Sequence, residues 1–237
     1  MNSTHPELSV IMPALNEEQN ILDTINNTLK AFEKFNINGE IIVINDGSSD
    51  GTEELVTRVI SKNKNITMIK HLYPHGMGAS FWEGVDAAKG KAVVTIPGDN
   101  ENNPKEILRY FKLMDDVDLV VPFIFNKNLR SSIRRILSDI FLMIINTTFR
   151  LKLNYTNGTV IYRKSILKEL SHRDKSFFFQ TDTLIRAVKQ KYLFAEVPAK
   201  LSPKPKEKGR SKALTFLSFL KVNKLMILFI LFRMRLA

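Results

Sequence analysis

Four times within residues 1–100 a short, β-branched apolar run breaks off into a polar loop and then gives way to a helical pattern. LSVIM at 8–12 stops at Pro13, and an amphipathic series through Ile21, Leu22, Ile25, Leu29 and Phe32 follows. EIIVIN at 40–45 stops at DGSSDGT and precedes a helix over 53–62. A third run at 66–69 leads through Gly76-Met77-Gly78-Ala79 into a helix that ends near residue 88, and a fourth, 91–96, ends in PGDNENNP. Apolar runs of this length are strands and the periodic stretches between them are helices. Strictly alternating strands and helices predict an α/β fold with a mostly parallel, doubly wound sheet, whose ligands bind outside the carboxyl ends of the strands. The polar clusters at 13–18, 46–52, 76–79 and 99–104 all follow strands, so they converge on one crevice.

The fourth cluster carries the most specific chemistry. Asp99 and Glu101 stand two apart, so in extended backbone their side chains leave on the same side and can share one hard divalent cation. The same letters also read as an acidic, Asn-rich turn that caps the helix beginning near Lys105. The loop at 46–52 is open to a similar double reading, as a ligand loop or as a Gly-rich turn capping the next helix.

A chain of 237 residues with 44% hydrophobic content can bury a full core, as one large α/β domain or one domain plus an appendage. It has no cysteine, which excludes a disulfide framework, a thiolate metal site and a cysteine nucleophile. Residues 1–7 lack the charged and apolar regions of a secretory leader, so the chain is expected to start in the cytoplasm. The net charge of +11 is unevenly spread: residues 1–100 hold 8 Lys/Arg against 13 Asp/Glu, and residues 101–237 hold 27 against 11. The basic half is where an anionic partner is expected. Nucleic acid is disfavoured as that partner, because the chain has no recognisable nucleic-acid module and no interleaved aromatic platform.

PALNEEQNI, INDGSSDGT, HGMGAS with its helix and AAKG, and PGDNENNP, in that order and spacing, resemble the nucleotide-binding half of family 2 glycosyltransferases of the GT-A fold. NYTNGTVIYRKSIL at 154–167, then FFQTDTLIRA, EVPAKL and KGRSK within 178–212, resemble the later part of the dolichyl-phosphate mannose synthase subgroup. The resemblance implies that Pro13, Ala14, Glu17 and Asp46 hold the base and ribose of a nucleotide, with Gly78 also in the nucleotide-sugar site. It implies that the second Asp of the family's Asp-x-Asp metal motif falls on Asp99 and a following ligand on Glu101, with Mg2+ or Mn2+ as the ion. The first Asp falls on Pro97, which has no ligand atom. Either Asp99 and Glu101 hold the metal together with water and diphosphate oxygens, or metal dependence is weakened.

Arg130, Arg134 and Arg135 precede an apolar helix at 136–145. Arg forks bind phosphate, and an apolar helix beside them suits a lipid with a phosphate head, with Arg134 also assisting transfer; a core helix with a solvated basic flank is the alternative. Asp182 opens a helix and is a candidate base against an acceptor hydroxyl. Against a lipid phosphate, already ionised near neutral pH, it would position the sugar or acceptor, and a helix-terminal carboxylate favoured by the dipole is the plainer reading. By resemblance, Lys206, Arg210 and Lys212 in the basic loop at 204–212 lie over the donor diphosphate; a solvated charge run or membrane-surface patch is the alternative. The apolar stretch at 213–232 is interrupted by Lys221, Asn223 and Lys224, short of the ~20 residues a bilayer span needs. It reads as an amphipathic interfacial tail, or else a core helix.

The expected organisation is a GT-A domain over 1–212, with 1–110 for the nucleotide sugar and 111–212 for the acceptor, plus a membrane-associating tail over 213–237. The expected function is inverting transfer of a hexose from a UDP- or GDP-sugar to a polyprenyl phosphate, by an enzyme peripheral to the cytoplasmic face of a membrane. A glycan or glycolipid hydroxyl as acceptor and a non-catalytic nucleotide-sugar-binding protein are the alternatives. No Gln-x-x-Arg-Trp signature is present, since the only Trp is Trp82.

Overall fold

The computed structural model describes residues 5–129, 132–176 and 178–200, with the backbone alone at 133 and 134. The chain divides into two compact units, Met1–Lys127 with Asn154–Ser202, and a second that includes Asn128–Leu153. In the first unit, β1 (Leu8–Ala14), β2 (Gly39–Asn45), β3 (Ile66–Lys70), β4 (Ala92–Thr95), β5 (Leu119–Ile124), β6 (Ile161–Arg163) and β7 (Phe194–Ala199) form one sheet. Its order is β3-β2-β1-β4-β6-β5-β7. The helices α1 (Ile21–Phe35), α2 (Thr52–Ile60) and α3 (Met77–Ala87) join the first four strands; α4 (Pro104–Leu108), α6 (Lys164–Glu169) and α7 (Phe179–Lys189) follow later in the same unit.

β1 and β2 are buried at every position, as near-continuous apolar strands covered on both faces must be. The chain moves outward from β1 through β2 to β3, then returns through α3 to β4 on the other side of β1. That reversal opens a crevice at the carboxyl end of β1. Ala14 pairs with Asn45 and Ile11 with Thr95. The ladder runs on past the strand ends, with Asp46 N–H donating to Ala14 O at 2.8 Å and Gly98 N–H to Pro13 O at 2.9 Å. Ala14, Asp46 and the Gly98-Asp99 turn therefore stand side by side.

α1 buries Ile21, Thr24, Ile25, Thr28, Ala31 and Phe32, the spacing of one helical face. Thr24 Oγ1 donates to Gly98 O at 3.0 Å, which anchors the turn just ahead of Asp99 to α1. The helix ends at Asn36 in the left-handed conformation, φ 52°, with its N–H on the carbonyls of Phe32 and Glu33.

The sheet is not wholly parallel. β6 lies antiparallel between β4 and β5. At three residues it is too short to show a period in the sequence. β7 pairs parallel with β5 over its full length and closes that edge.

In the second unit, α5 (Ser132–Phe149) extends the apolar run at 136–145 in both directions, and Arg150 just beyond it adopts the left-handed conformation, φ 53°. Asn146 fastens the segment that follows, donating to Leu153 O at 2.9 Å and accepting from Leu153 N–H at 3.0 Å. Ile136, Leu137, Ile140 and Met143 of α5 are exposed. Among the described residues no helix is long and apolar enough to cross a membrane.

Candidate functional site

The first two loops of the crevice are stitched together by polar side chains. Asn16 takes the left-handed conformation, φ 57°, accepts from Ser49 N–H at 2.8 Å and donates its own N–H to Ser48 Oγ at 3.0 Å. Glu17 N–H donates to Thr52 Oγ1 at 2.8 Å, and Gly51 N–H donates to Glu18 Oε2 at 2.9 Å. Pro13 and Ala14 are buried, and their carbonyls are engaged by Gly98 and Asp46. They form the floor of the crevice.

Asp46 is 5% exposed and is surrounded by donors. Its carboxylate accepts from His75 N–H at 2.7 Å and Gly76 N–H at 2.9 Å, and Oδ1 lies 2.7 Å from His71 Nδ1. Because an ionised carboxylate only accepts, Nδ1 of His71 carries the hydrogen. Burial pushes Asp46 up and His71 down, but these bonds outweigh it, so Asp46 lies below its ordinary value and His71 above.

The two shifts give opposite pH limbs. Asp46 stabilises the fold fully above its unfolded value of about 3.9, and that contribution is lost as pH falls through its lowered folded value. His71 stabilises fully below about 6.5, and its contribution is lost as pH rises through its raised folded value. Stability of the metal-stripped protein, followed by urea unfolding, is expected to be highest between these limbs, and His71→Gln is expected to flatten the alkaline one.

At the end of β4, Asp99 is half-buried and Glu101 exposed. The extended backbone expected between them is not what forms. Asn100 takes φ 54°, and Asp99 Oδ1 accepts from Glu101 N–H at 3.0 Å, so a turn brings the two residues together. Asn100 suits it because its short polar side chain tolerates the left-handed region, and here that side chain accepts from Asn27 Nδ2 at 3.2 Å. The capping reading of this loop is also realised, but by Asn103, whose side chain accepts from Lys105 N–H at 3.0 Å ahead of Pro104.

Glu17 belongs to the same acidic neighbourhood: its burial first, and then the charges of Asp99, Asp50 and Glu101, raise it above an ordinary glutamate. These hard oxygen donors fit Mg2+ or Mn2+, since such an ion needs only one or two carboxylates when phosphate and water complete its shell, and Pro97 contributes no ligand atom.

Asp182, in the first turn of α7, is 6% exposed, and Arg186 Nε lies 3.1 and 2.9 Å from its two oxygens. Burial nevertheless raises its pKa, against the pull of Arg186. Thr181 Oγ1 donates to Asn157 Oδ1 at 2.5 Å, joining α7 to the NYTNGT segment. Gly78 has a packing role: a Cβ there would lie 2.4 Å from the backbone carbon of Lys175 and 2.6 Å from Ser176 O. Arg130, Lys206, Arg210 and Lys212 lie outside the described residues, as does the tail at 213–237, and of Arg134 only the backbone is described.

The sequence pattern of glycosyl transferase family 2 matches residues 9–171, more than half of the chain. The chain belongs to that family. A dodecaprenyl-phosphate galacturonate synthase of Rhizobium johnstonii is 28% identical over 177 residues, 69% of this chain and 50% of that protein. An undecaprenyl-phosphate 4-deoxy-4-formamido-L-arabinose transferase of Pectobacterium carotovorum is 30% identical over 167 residues, 70% of this chain and 51% of that one. The chain thus aligns with about half the length of these relatives.

The crystal structure of glucosyl-3-phosphoglycerate synthase from Mycobacterium tuberculosis with UDP superposes with a TM-score of 0.67 at 20% identity, over 96% of this chain and 80% of that one. A second structure of that enzyme, with Mg2+ and UDP, gives 0.67 at 18% identity over 96% and 79%. This family 2 glycosyltransferase chain has the GT-A fold, with its mostly parallel seven-stranded sheet flanked by helices.

Sequence reasoning missed several contacts that fasten α3 to its surroundings in this family 2 chain. His71 and Glu83 meet through Nε2 and Oε2 at 2.5 Å, and Trp82 Nε1 donates to Asp174 O at 2.9 Å. Arg173 pairs with Asp86 at 2.7 Å and lies over the Trp82 ring at 5.0 Å. The one available signal was rarity: the chain has only four histidines, and two of them, His71 and His75, stand four apart beside the second ligand loop.

Proposed function

We propose that this chain transfers a sugar, with inversion, from a nucleoside diphosphate sugar to a polyprenyl phosphate. The observation that carries the reading is the meeting of the Glu17, Asp46 and Asp99 loops at the reversal of strand order, in a family whose similar members are named for dodecaprenyl- and undecaprenyl-phosphate substrates. Base carbonyls, which accept from loop amides, and ribose hydroxyls and base N–H groups, which donate to carboxylates, are what such a crevice recognises.

In the proposed step an ionised oxygen of the lipid phosphate attacks the anomeric carbon from the face opposite the diphosphate. A new carbon–oxygen bond forms, the bond to the diphosphate oxygen breaks, and the diphosphate leaves with the electron pair. The lipid phosphate needs no strong base, because its second pKa is about 6. Asp99 and Glu101 would hold Mg2+ or Mn2+, which when bound offsets charge on the departing diphosphate. Lys206, Arg210 and Lys212 would add cationic stabilisation, and Arg130 and Arg134 would hold the acceptor phosphate.

The exposed Ile136, Leu137, Ile140 and Met143 of α5 suit contact with lipid, and with the basic tail they support a peripheral enzyme at the cytoplasmic face of a membrane. A hydroxyl acceptor is the second reading. Asp182 in the first turn of α7 is the carboxylate that would serve as its base, once released from Arg186, whose Nε lies 3.1 and 2.9 Å from its oxygens.

The test is release of nucleoside diphosphate from a panel of UDP- and GDP-sugars with Mg2+ or Mn2+, with and without polyprenyl phosphate in detergent. The expected result is release that needs both lipid phosphate and metal, with one preferred donor. Absence of release with every donor, while nucleotide still binds, overturns the lipid-phosphate assignment.

A further inference from the structure

The first three loops of the crevice leave one polar cluster unused by the proposed transfer. His71, directly after β3, is 7% exposed and fixed at both ends: its backbone N–H donates to Asn45 O at 2.9 Å, and its Nδ1 meets buried Asp46. Its Nε2 is therefore aimed in a set direction, at Glu83 of α3, 2.5 Å away. His75 stacks on His71 with ring centroids 4.1 Å apart, and its Nδ1 lies 3.8 Å from the other Glu83 oxygen. Among the described residues this is the one group of three or more His, Asp or Glu whose ligand atoms all fall within 4.8 Å of one another. Asp99 and Glu101 are not part of it.

We propose that His71, His75 and Glu83 form a binding site for a transition-metal dication of zinc type, separate from the Asp99 loop. Two imidazole nitrogens and a carboxylate are the donor set that zinc accepts, with a fourth position left for water. Donors around a tetrahedral zinc with bonds of about 2.0–2.1 Å stand roughly 3.4 Å apart. His71 Nε2 lies 2.5 Å from one Glu83 oxygen and His75 Nδ1 lies 3.8 Å from the other, so an ion enters by displacing the proton that Nε2 shares with Glu83 and drawing Glu83 and His75 into its shell.

Asp46 completes the case. A metal-binding histidine commonly donates its other ring N–H to a carboxylate, which fixes the tautomer and raises ligand basicity, and Asp46 holds His71 in this way. Because Asp46 also takes the amides of His75 and Gly76, an ion here clamps the 71–76 loop to α3. Zinc occupancy therefore couples to whatever binds along the Asp46 side of the crevice.

The experiment uses the full chain, stripped with chelator and held in excess Mg2+ so that hard-ion sites are filled. Co2+ is titrated as a visible probe and then displaced by Zn2+, with affinity read against a chromophoric chelator. Expected is one equivalent of Co2+ with the absorption of a low-coordinate nitrogen–oxygen site. Affinity is expected to fall at least about tenfold in His75→Ala and in Glu83→Gln and about 10–100-fold in Asp46→Asn, and to be unchanged in Asp99→Asn. His75 and Glu83 side chains are 34% and 42% exposed, so their variants should fold, which far-UV circular dichroism checks. Absence of binding to the wild-type chain overturns the proposal, as does binding that survives His75→Ala and Glu83→Gln or is lost in Asp99→Asn. The readout is metal affinity, so it stands whether or not the donor panel shows transfer.

Discussion

Asp99→Asn is expected to lower metal-dependent release of nucleoside diphosphate by about a thousandfold, roughly 4 kcal/mol at the barrier. The side chain sits half-buried at the end of β4, where the Gly98 carbonyl is tied to Thr24 and the Gly98 amide to Pro13. Asn keeps an oxygen that can accept from Glu101 N–H, as Asp99 does at 3.0 Å, so the turn survives. On the proposed reading, what is lost is the charge that would draw a cation to the diphosphate, and Pro97 offers no replacement. Glu101→Gln should cost less, because that side chain is exposed and can be replaced by water in the shell of an ion. Initial rates at saturating donor, with thermal melts to confirm an intact fold, check both. A variant Asp99→Asn that keeps wild-type turnover and metal dependence would remove Asp99 from the metal site.

Gly78→Ala is expected to destabilise the fold by about 2–4 kcal/mol. The added methyl would sit 2.4 Å from the Lys175 carbonyl carbon and 2.5 Å from its oxygen, and backbone cannot swing aside as a side-chain tip can. The segment it strikes is pinned to α3 by Trp82 on Asp174 O and by Arg173 on Asp86, so relief on one side breaks contacts on the other. Urea unfolding measures the loss, and nucleotide binding by the protein that remains folded separates packing from recognition. Unchanged stability with lost nucleotide binding would give Gly78 back to the ligand site.

The first four strands were legible because each is a compact apolar run, although β1 continues through Pro13 to Ala14, and the loops after them were legible because polar clusters punctuate those runs. β6 was not, since three residues carry no period and its antiparallel pairing is made with partners far away in the chain. Asp99 and Glu101 were legible as a pair, but not the left-handed Asn100 between them, which depends on a contact with Asn27 of α1.

The sequence by itself determined the alternation of elements, the order of the ligand loops and the family, because these rest on local periodicity and on motifs written along the chain. Only the tertiary structure decided which side chains share a site. Asp46 lies 25 residues from His71, and His71 lies 12 from Glu83. They meet because parallel pairing sets β3 beside β2 and the helix after β3 crosses back over β2 and β1. Asp182 and Arg186 lie one helical turn apart, close enough to be paired on paper, but the tight burial that ties the carboxylate up is a property of the packed core around α7. Distances of this kind come from the register of the sheet and the packing of helices on it, and neither is encoded at any one position.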